Sequence, residues 1–561
     1  MFGSANPSIP DAWRGHLLFA LLTDAGDIND RLFKRQAIEK LLRTPQLQNE
    51  GLNRDDLLLQ MEEIGGLRPR PRLWELVTSI PLLEEREGRY RLRPILPLTA
   101  FAAAGRRLPK SLHRVTWTLA EIDALFFPVI DTFWSVRDLG EAIGKGYGWL
   151  LWTADYARNP ANQLDAMPAF WQCQDGEDSP LGFVRAVTGI GDALGALADS
   201  HYFSHSIEKM KGAHGPALDS LLRWLLACRV ETAVPPDWDE TLRCWNRGGF
   251  WPFDDQPEAV YPTVDATWDA VLALGSVYDQ YDRFTTSYGP FHCSRSAVGK
   301  TLLGGIEFLL RMQLPSGGWG IYRYPDDQPP VPAHEFTTAQ TILALRLSLL
   351  SDVFEEQERP ERRAAVEATL RRAWAFLQER AVSFQGRQVW LPFFADRVED
   401  YASQDILRAS VWTGAGLLAL YRGLPDLRAA IVPRLADLLA LASAHWEPNY
   451  RRIAEFEFRV PLRERPHDNF GKWSNRYDVT LAMFLLDLFN EGRGGDGALP
   501  VEFGPGLWRR LERTIGEILR EQHPEHGHWN EPVAGMPLAA ATAMAIQVLQ
   551  NYLIAARHLI G

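Results

Sequence analysis

FLLRMQLPSGGWGIYRYPDDQPPVPAHEFTTAQTILAL, residues 308–345, decides the fold. It begins in a helix that mixes polar and apolar residues, turns at Gly317-Gly318-Trp319, and crosses a proline-rich loop carrying Asp-Asp-Gln-Pro. It then enters a second helix, TTAQTILAL, that is nearly apolar all round. A helix apolar on every face has to be buried on every face, whereas a polar-sided one belongs at the surface. The unit is therefore an outer helix, a Gly-Trp turn, a loop and an inner helix.

The unit recurs, and self-similarity at a fixed period is the signature of a repeat architecture. GGFWPFDDQPEAVYPTVDATWDAVLAL (248–274) matches closely and aligns Thr267 with Thr338. Weaker copies follow at 385–420, 470–486 and 526–549. Trp251, Trp319, Trp390, Trp473 and Trp529 mark the turns, spaced about 70 residues apart. Such alternation repeated around an axis closes a ring and removes the open ends of an array. Each turn indole is expected to pack where units meet and to donate its N–H. Gln313 and Gln522 are expected to offer amides to the carbonyls at their own helix ends.

On these residues, FLLRMQLPSGGW (308–319) is similar to the QW repeat of squalene cyclases, class II terpene cyclases and protein prenyltransferases. ILREQHPEHGHW (518–529) is a second copy with one extra residue. The resemblance covers about 240–555. It implies a mainly α fold, an α/α toroid of about six helix pairs, with residues before 247 completing the ring.

The resemblance also directs attention to YPTVDATWDAVLAL (261–274). Class II terpene cyclases carry Asp-x-Asp-Asp followed by Thr at this place, and the middle Asp protonates an alkene or epoxide. Asp265 stands at the middle position, with Thr263 and Ala266 in place of the outer acids and Thr267 following. Its counterpart in the next unit is Phe336. Asp265 is a candidate general acid, or it is a helix N-cap residue. Under the acid reading, Trp251, Trp268, Trp319, Tyr322, Trp412 and Trp473 would line an isoprenoid pocket and stabilise the cation.

Other chemistries fit less well. Asp254-Asp255-Gln-Pro-Glu258 loosely resembles a Mg²⁺-binding diphosphate motif, but Pro257 breaks any helix there and Asp-Asp-Gln-Pro returns at 326–329. Mg²⁺ is thus expected only alongside an isoprenoid diphosphate, and no other cofactor or metal is expected. His292-Cys293 is not the zinc arrangement of the prenyltransferases, and no Cys-Gly-Glu-Gln thioester occurs. His201 and His205, near Asp199 and His214, have metal-chelating spacing without a third-ligand motif.

The N-terminal part is of another kind. Residues 1–110 carry a net charge of about +3 and the remainder about −15. Residues 31–44 read as an amphipathic helix with Leu32, Ile38, Leu41 and Leu42 on one side. Asn53 caps a second helix over 54–64, a third follows Pro71, and 83–93 reads as a hairpin around Glu87-Gly88. This order resembles a winged helix over roughly 27–95. It implies contact with DNA or a protein partner through Arg68, Arg70 and Arg72, which lead into the third helix, and Arg89, Arg91 and Arg93 on the wing. Residues 111–235 are expected to be helical, as a bridge or the first part of the ring, with no sustained alternating segment. Residues 236–561 hold the toroid repeats.

Composition bounds the rest. The 561 residues are 46% apolar and 23% charged, which is globular. Four cysteines without a C-x-x-C pair fit a reducing cytoplasm. The first residues show no secretory pattern, and no apolar run is long enough to span a membrane. The sequence thus leads to a degenerate terpene-cyclase-like toroid serving as a binding subunit, with its winged helix docking DNA or protein in a bacterial regulatory or defence assembly. The alternative is a divergent class II cyclase using Asp265.

Overall fold

The structure is a computed structural model describing residues 11–23, 28–66, 68–101, 115–126, 136–158, 171–176, 179–185, 187–198, 215–227, 230–232, 242–244, 264–320, 332–391, 398–446, 453–458, 470–494, 499, 503–530 and 537–560. The described elements are mainly helical, with only paired short strands. The chain separates into two compact units, residues 1–139 with 503–516 and 552–561, and residues 140–502 with 517–551.

The first unit opens with helices α1 (Asp11–Thr23), α2 (Ile28–Leu42), α3 (Pro45–Asn49), α4 (Arg54–Gly65) and α5 (Arg70–Thr78). The expected amphipathic face of α2 is buried at Ile38, Leu41 and Leu42. Asn53 caps α4, its side chain accepting the Asp56 N–H at 2.9 Å. Strands β1 (Leu83–Arg86) and β2 (Arg89–Leu92) pair antiparallel around Glu87-Gly88, and Leu52 bridges to Tyr90 on the outer side of β2. Leu57, Met61, Leu73, Val77 and Leu92 form the core between helices and hairpin. A second pair follows, β3 (Ile95–Pro97) with β4 (Thr116–Thr118), and then α6 (Leu119–Phe126).

In the second unit, α7 (Val136–Arg158), α8 (Val187–Ala198), α9 (Gly215–Ala227), α10 (Val264–Asp279), α11 (Tyr281–Tyr288), α12 (Arg295–Arg311) and α13 (Glu335–Leu350) follow in order. The short α14 (Val353–Glu356) leads to α15 (Glu361–Arg380), α16 (Ser403–Gly423), α17 (Arg428–His445) and α18 (Tyr477–Gly494), and then to α19 (Pro505–Glu521) and α20 (Ala539–Ile560), of which residues 517–521 and 539–551 belong to this unit. Inner and outer helices alternate as the repeat requires. α13 is buried through most of its length, its threonines included, while α15 buries one stripe, Val366, Leu370, Ala373, Trp374 and Leu377.

Neighbouring inner helices pack in sequence, α8 on α10, α10 on α13, α13 on α16 and α16 on α18. Asn490 of α18 donates to the carbonyl of Asn551 in α20 at 3.0 Å, continuing the series. Closure comes from Tyr147 of α7. Its hydroxyl donates to the Ala196 carbonyl of α8 at 2.9 Å and accepts from Gln550 Nε2 of α20 at 2.7 Å. First and last inner helices are thus bridged by one buried phenol. Among the described residues the result is an α/α toroid of six pairs, α7/α8, α9/α10, α12/α13, α15/α16, α17/α18 and α19/α20, the first helices of which come from the 111–235 stretch.

One expectation fails in part. Within 111–235, expected to be helical, β5 (Trp171–Gly176) and β6 (Ser179–Arg185) pair antiparallel. β7 (Val230–Thr232) pairs antiparallel with β8 (Leu242–Cys244), β9 (Val382–Phe384) with β10 (Arg387–Val389), and β11 (Ile453–Phe458) with β12 (Phe470–Arg476), which lies against β5. The alternation in Glu455-Phe456-Glu457-Phe458 is real but too short to stand out among helical periods.

Candidate functional site

The joints between helices organise the inner ring. At 313–319, Trp319 is fully buried; its indole N–H donates to Leu309 O at 2.7 Å, and its backbone N–H donates to Thr338 Oγ1 at 3.0 Å. Gln313 Nε2 donates to Gly317 O at 2.7 Å and to Thr369 O of the next outer helix, α15, at 2.9 Å. At 522–529, Trp529 donates to Ile518 O at 2.6 Å and to Thr542 Oγ1 at 3.0 Å. Gln522 donates to Gly527 O at 2.8 Å and to Ala142 O of α7 at 2.7 Å. The glutamines therefore do not close their own helix ends as expected. They tie the turn to the neighbouring outer helix, a partner no reading of one unit reveals.

The third joint keeps the indole and replaces the glutamine. Trp390 donates to Leu377 O at 2.9 Å and, through its backbone, to Ser410 Oγ at 3.0 Å. Four residues after Leu377 stands Ala381, and a hairpin of β9 (Val382–Phe384) and β10 (Arg387–Val389) fills the turn.

These joints define two columns on the inner helices. The fourth residue of α10, α13, α18 and α20 is Thr267, Thr338, Thr480 and Thr542, all buried. Thr338 and Thr542 hold the joint N–H groups. The second residue of the same helices is Asp265, Phe336, Asp478 and Ala540. Asp478, not singled out in the sequence, is buried at the position Asp265 occupies, so an aspartate there recurs. Asp265 lies in the first turn of α10, and its side chain, like those of Trp251, Tyr322, Thr263 and Trp473, lies outside the described residues. So do Asp199, His201, His205, His214 and both Asp-Asp-Gln-Pro loops.

Of the anticipated pocket aromatics, Trp268 and Trp412 are buried, and Trp412 meets Phe336 edge to face at 5.2 Å. Trp319 belongs to its joint. Trp268 Nε1, Gln340 Nε2 and Thr413 Oγ1 are buried polar atoms without a partner among the described residues, on three successive inner helices. Buried polar groups are normally bonded, so these are the ring's candidate ligand-facing atoms.

A charged set at the start of α13 was also missed. Arg380 bonds Glu335 at 2.6 Å, and His334 Nε2 lies 3.7 Å from Glu335. His334 caps α13, Nδ1 accepting the Phe336 N–H at 3.1 Å, and burial followed by the Arg380 charge pulls its pKa well below the ordinary value. It is a neutral structural imidazole at physiological pH. The signal available beforehand was His-Glu at the mouth of an inner helix whose one other charged residue, Arg346, lies near its far end. Among the described residues, no group of three or more His, Cys, Asp or Glu is arranged to hold a metal.

In the first unit, the six arginines expected to meet a partner engage the protein itself. Arg72 reaches Asp30 and Glu75, Arg70 pairs with Glu62, and Arg68 lies 3.5 Å from Asp30 and over the Phe33 ring. Arg89 donates to Gly51 O at 3.2 Å, Arg91 to Glu50 O at 3.2 Å and Arg93 to Leu83 O at 3.1 Å.

The sequence matches no family model, and no curated protein is recognisably similar to it. Several solved structures resemble this chain in fold. A GH76 alpha-mannanase from Bacteroides thetaiotaomicron aligns over 74% of this chain and 98% of its own at 13% identity, with a TM-score of 0.43. A glucoamylase from Saccharomycopsis fibuligera aligns over 75% and 96% at 11% identity and 0.45. A polysaccharide lyase aligns over 74% and 97% at 10% identity and 0.41. At these scores the toroid rests on the contacts of this chain. No helix among the described residues is long and apolar enough to cross a membrane.

Proposed function

We propose that this protein is a non-catalytic binding scaffold: its toroid is a cyclase-like ring without the chemistry, and residues 1–110 contain a winged helix that docks a protein. The observation that carries the reading is the threonine column. Thr267 stands where the resemblance would place a catalytic neighbour of Asp265, yet its counterparts Thr338 and Thr542 hold the ring together by accepting indole-residue N–H groups. The position of Asp265 is filled elsewhere by Phe336, Asp478 and Ala540, so the repeat does not gather the companion carboxyls that a protonating acid needs.

The order helix, bridging strand, two helices and hairpin in residues 28–92 supports the winged-helix assignment. Its arginines are balanced by Asp30, Glu62 and Glu75 and by backbone carbonyls, which supports a protein partner over phosphate.

The test incubates the full-length protein with farnesyl diphosphate, geranylgeranyl diphosphate and squalene, beside Asp265→Asn. No cyclised product from either is expected. Product from the parent that is lost in the variant would replace the scaffold with a class II cyclase. In parallel, retention of mixed-sequence DNA that weakens steeply between 50 mM and 200 mM salt would overturn protein docking.

A further inference from the structure

Asp219 and His292 form a pair that neither the joints nor the inner helices use. Asp219, on outer helix α9, has 1% of its side chain exposed. One of its oxygens accepts the backbone N–H of His292 at 2.7 Å, and the other lies 2.6 Å from His292 Nδ1. A ring nitrogen that close to a carboxylate oxygen donates to it, so the imidazole lone pair sits on Nε2. The imidazole side chain is 78% exposed.

The loop presenting it is clamped. Phe291 packs edge to face on Tyr281 and Phe284, with ring centroids 6.3 and 5.1 Å away. The Tyr281 hydroxyl donates to Cys293 O, and Ser294 caps α12 by accepting the Ala297 N–H. Arg223, i+4 from Asp219, reaches the same carboxylate at 3.0 Å with 53% of its side chain exposed. A histidine with a fixed tautomer, a buried counter-ion behind its ring and a guanidinium on the same carboxylate is arranged as a nucleophile. The guanidinium selects an anionic group for transfer.

We infer that His292 is a phosphoryl-accepting histidine, its Nε2 taking the phosphoryl group from a donor of the acyl phosphate or phosphoramidate class. The Nε2 lone pair forms the new bond to phosphorus. The bond from phosphorus to the donor's oxygen or nitrogen breaks, and the leaving group departs with that electron pair as a carboxylate or, after taking a proton from water, as ammonia. Nδ1 keeps its proton, the ring becomes cationic, and Asp219 balances that charge. Arg223 pairs with the phosphoryl oxygens.

The experiment exposes the full-length protein to potassium phosphoramidate at neutral pH and reads phosphoryl incorporation by intact mass and peptide mapping. One acid-labile phosphoryl group is expected on His292, formed about tenfold faster than on the exposed His526 of the same chain. Folded Asp219→Asn should slow the step about tenfold, and Arg223→Gln, which leaves the dyad in place, about threefold. Incorporation at His292 no faster than at His526, or a rate unchanged in Arg223→Gln or in folded Asp219→Asn, overturns the inference.

Discussion

The joints at 313–319 and 522–529 share an indole, a glutamine amide and a left-handed glycine, yet they differ in place and in charge. The first links outer helices consecutive in the chain, α12 and α15, through Thr369. The second links α19 to α7 through Ala142, so it joins the last outer helix to the first. The first turn reads Leu-Pro-Ser-Gly-Gly, while the second reads His-Pro-Glu-His-Gly-His. In the second, the rings of His523, His526 and His528 lie 4.6 to 6.0 Å apart, nearly parallel. One mechanical part thus serves twice, and only the copy that closes the ring carries titratable groups stacked on each other.

The largest effect should come from the glycines. Gly317 (φ +91°) and Gly527 (φ +80°) each press against the backbone of the next outer helix. A Cβ at Gly317 would stand 2.4 Å from Arg372 O, and one at Gly527 would stand 2.7 Å from Lys145 O. Neither backbone can yield as a flexible side chain does. Each Gly→Ala change should cost about 2–4 kcal/mol. Hydrogen exchange should separate them: Gly317→Ala loses protection in α12 and α15, and Gly527→Ala in α7 and α20. The distinction between a link and a closure fails if Gly527→Ala leaves α7 as protected as before.

The second test uses pH. Burial, and then the charges of His523 and His526, lower His528 from its ordinary value near 6.5 to about 4. The unfolded chain binds a proton between those values and the folded chain does not. Stability contributed by neutral His528 is therefore complete above about pH 6.5 and falls as pH drops toward 4. Allowing for solvent screening, the loss should be about 1–2 kcal/mol. Denaturant midpoints at pH 7, 5.5 and 4.5 should show it, and His528→Gln should flatten that part of the curve. A His528→Gln protein with the parent's full acid sensitivity would mean that the closing joint is no more pH-dependent than the internal one.

The sequence disclosed the parts that repeat. Trp319, Trp390 and Trp529, the inner-helix threonines and the outer-to-inner alternation were legible because each is written several times at one period, whereas Trp473, read as a turn, stands in strand β12 opposite Phe456, and Trp251 lies outside the described residues. The N-terminal helices and hairpin were legible from local signals, Asn53 before α4 and Glu-Gly between two strands. What stayed hidden was every partner outside the unit. Gln313 reaches Thr369 and Gln522 reaches Ala142, 380 residues away. Arg72 finds Asp30 and His292 finds Asp219 by the same long reach. A side chain's local sequence shows its chemistry but not who answers it, so arginines that look like a phosphate-binding face can be engaged internally. The β5–β6 and β11–β12 hairpins escaped because each alternates for too few residues to compete with helical periods on either side.

The smallest predicted effect bears most directly on the candidate site. Thr338 and Thr542 each accept a backbone N–H at 3.0 Å, and Thr267 has their place on α10 with no exposed surface. Valine preserves the shape and removes only the hydroxyl. A buried N–H that loses such an acceptor costs about 1–2 kcal/mol, so Thr338→Val and Thr542→Val should each lower the denaturant midpoint by that equivalent. If Thr267 belongs to the same column, Thr267→Val falls beside them. A Thr267→Val protein as stable as the parent, with the other two destabilised, would separate Thr267 from the joints. The argument for a non-catalytic ring would then lose its main support.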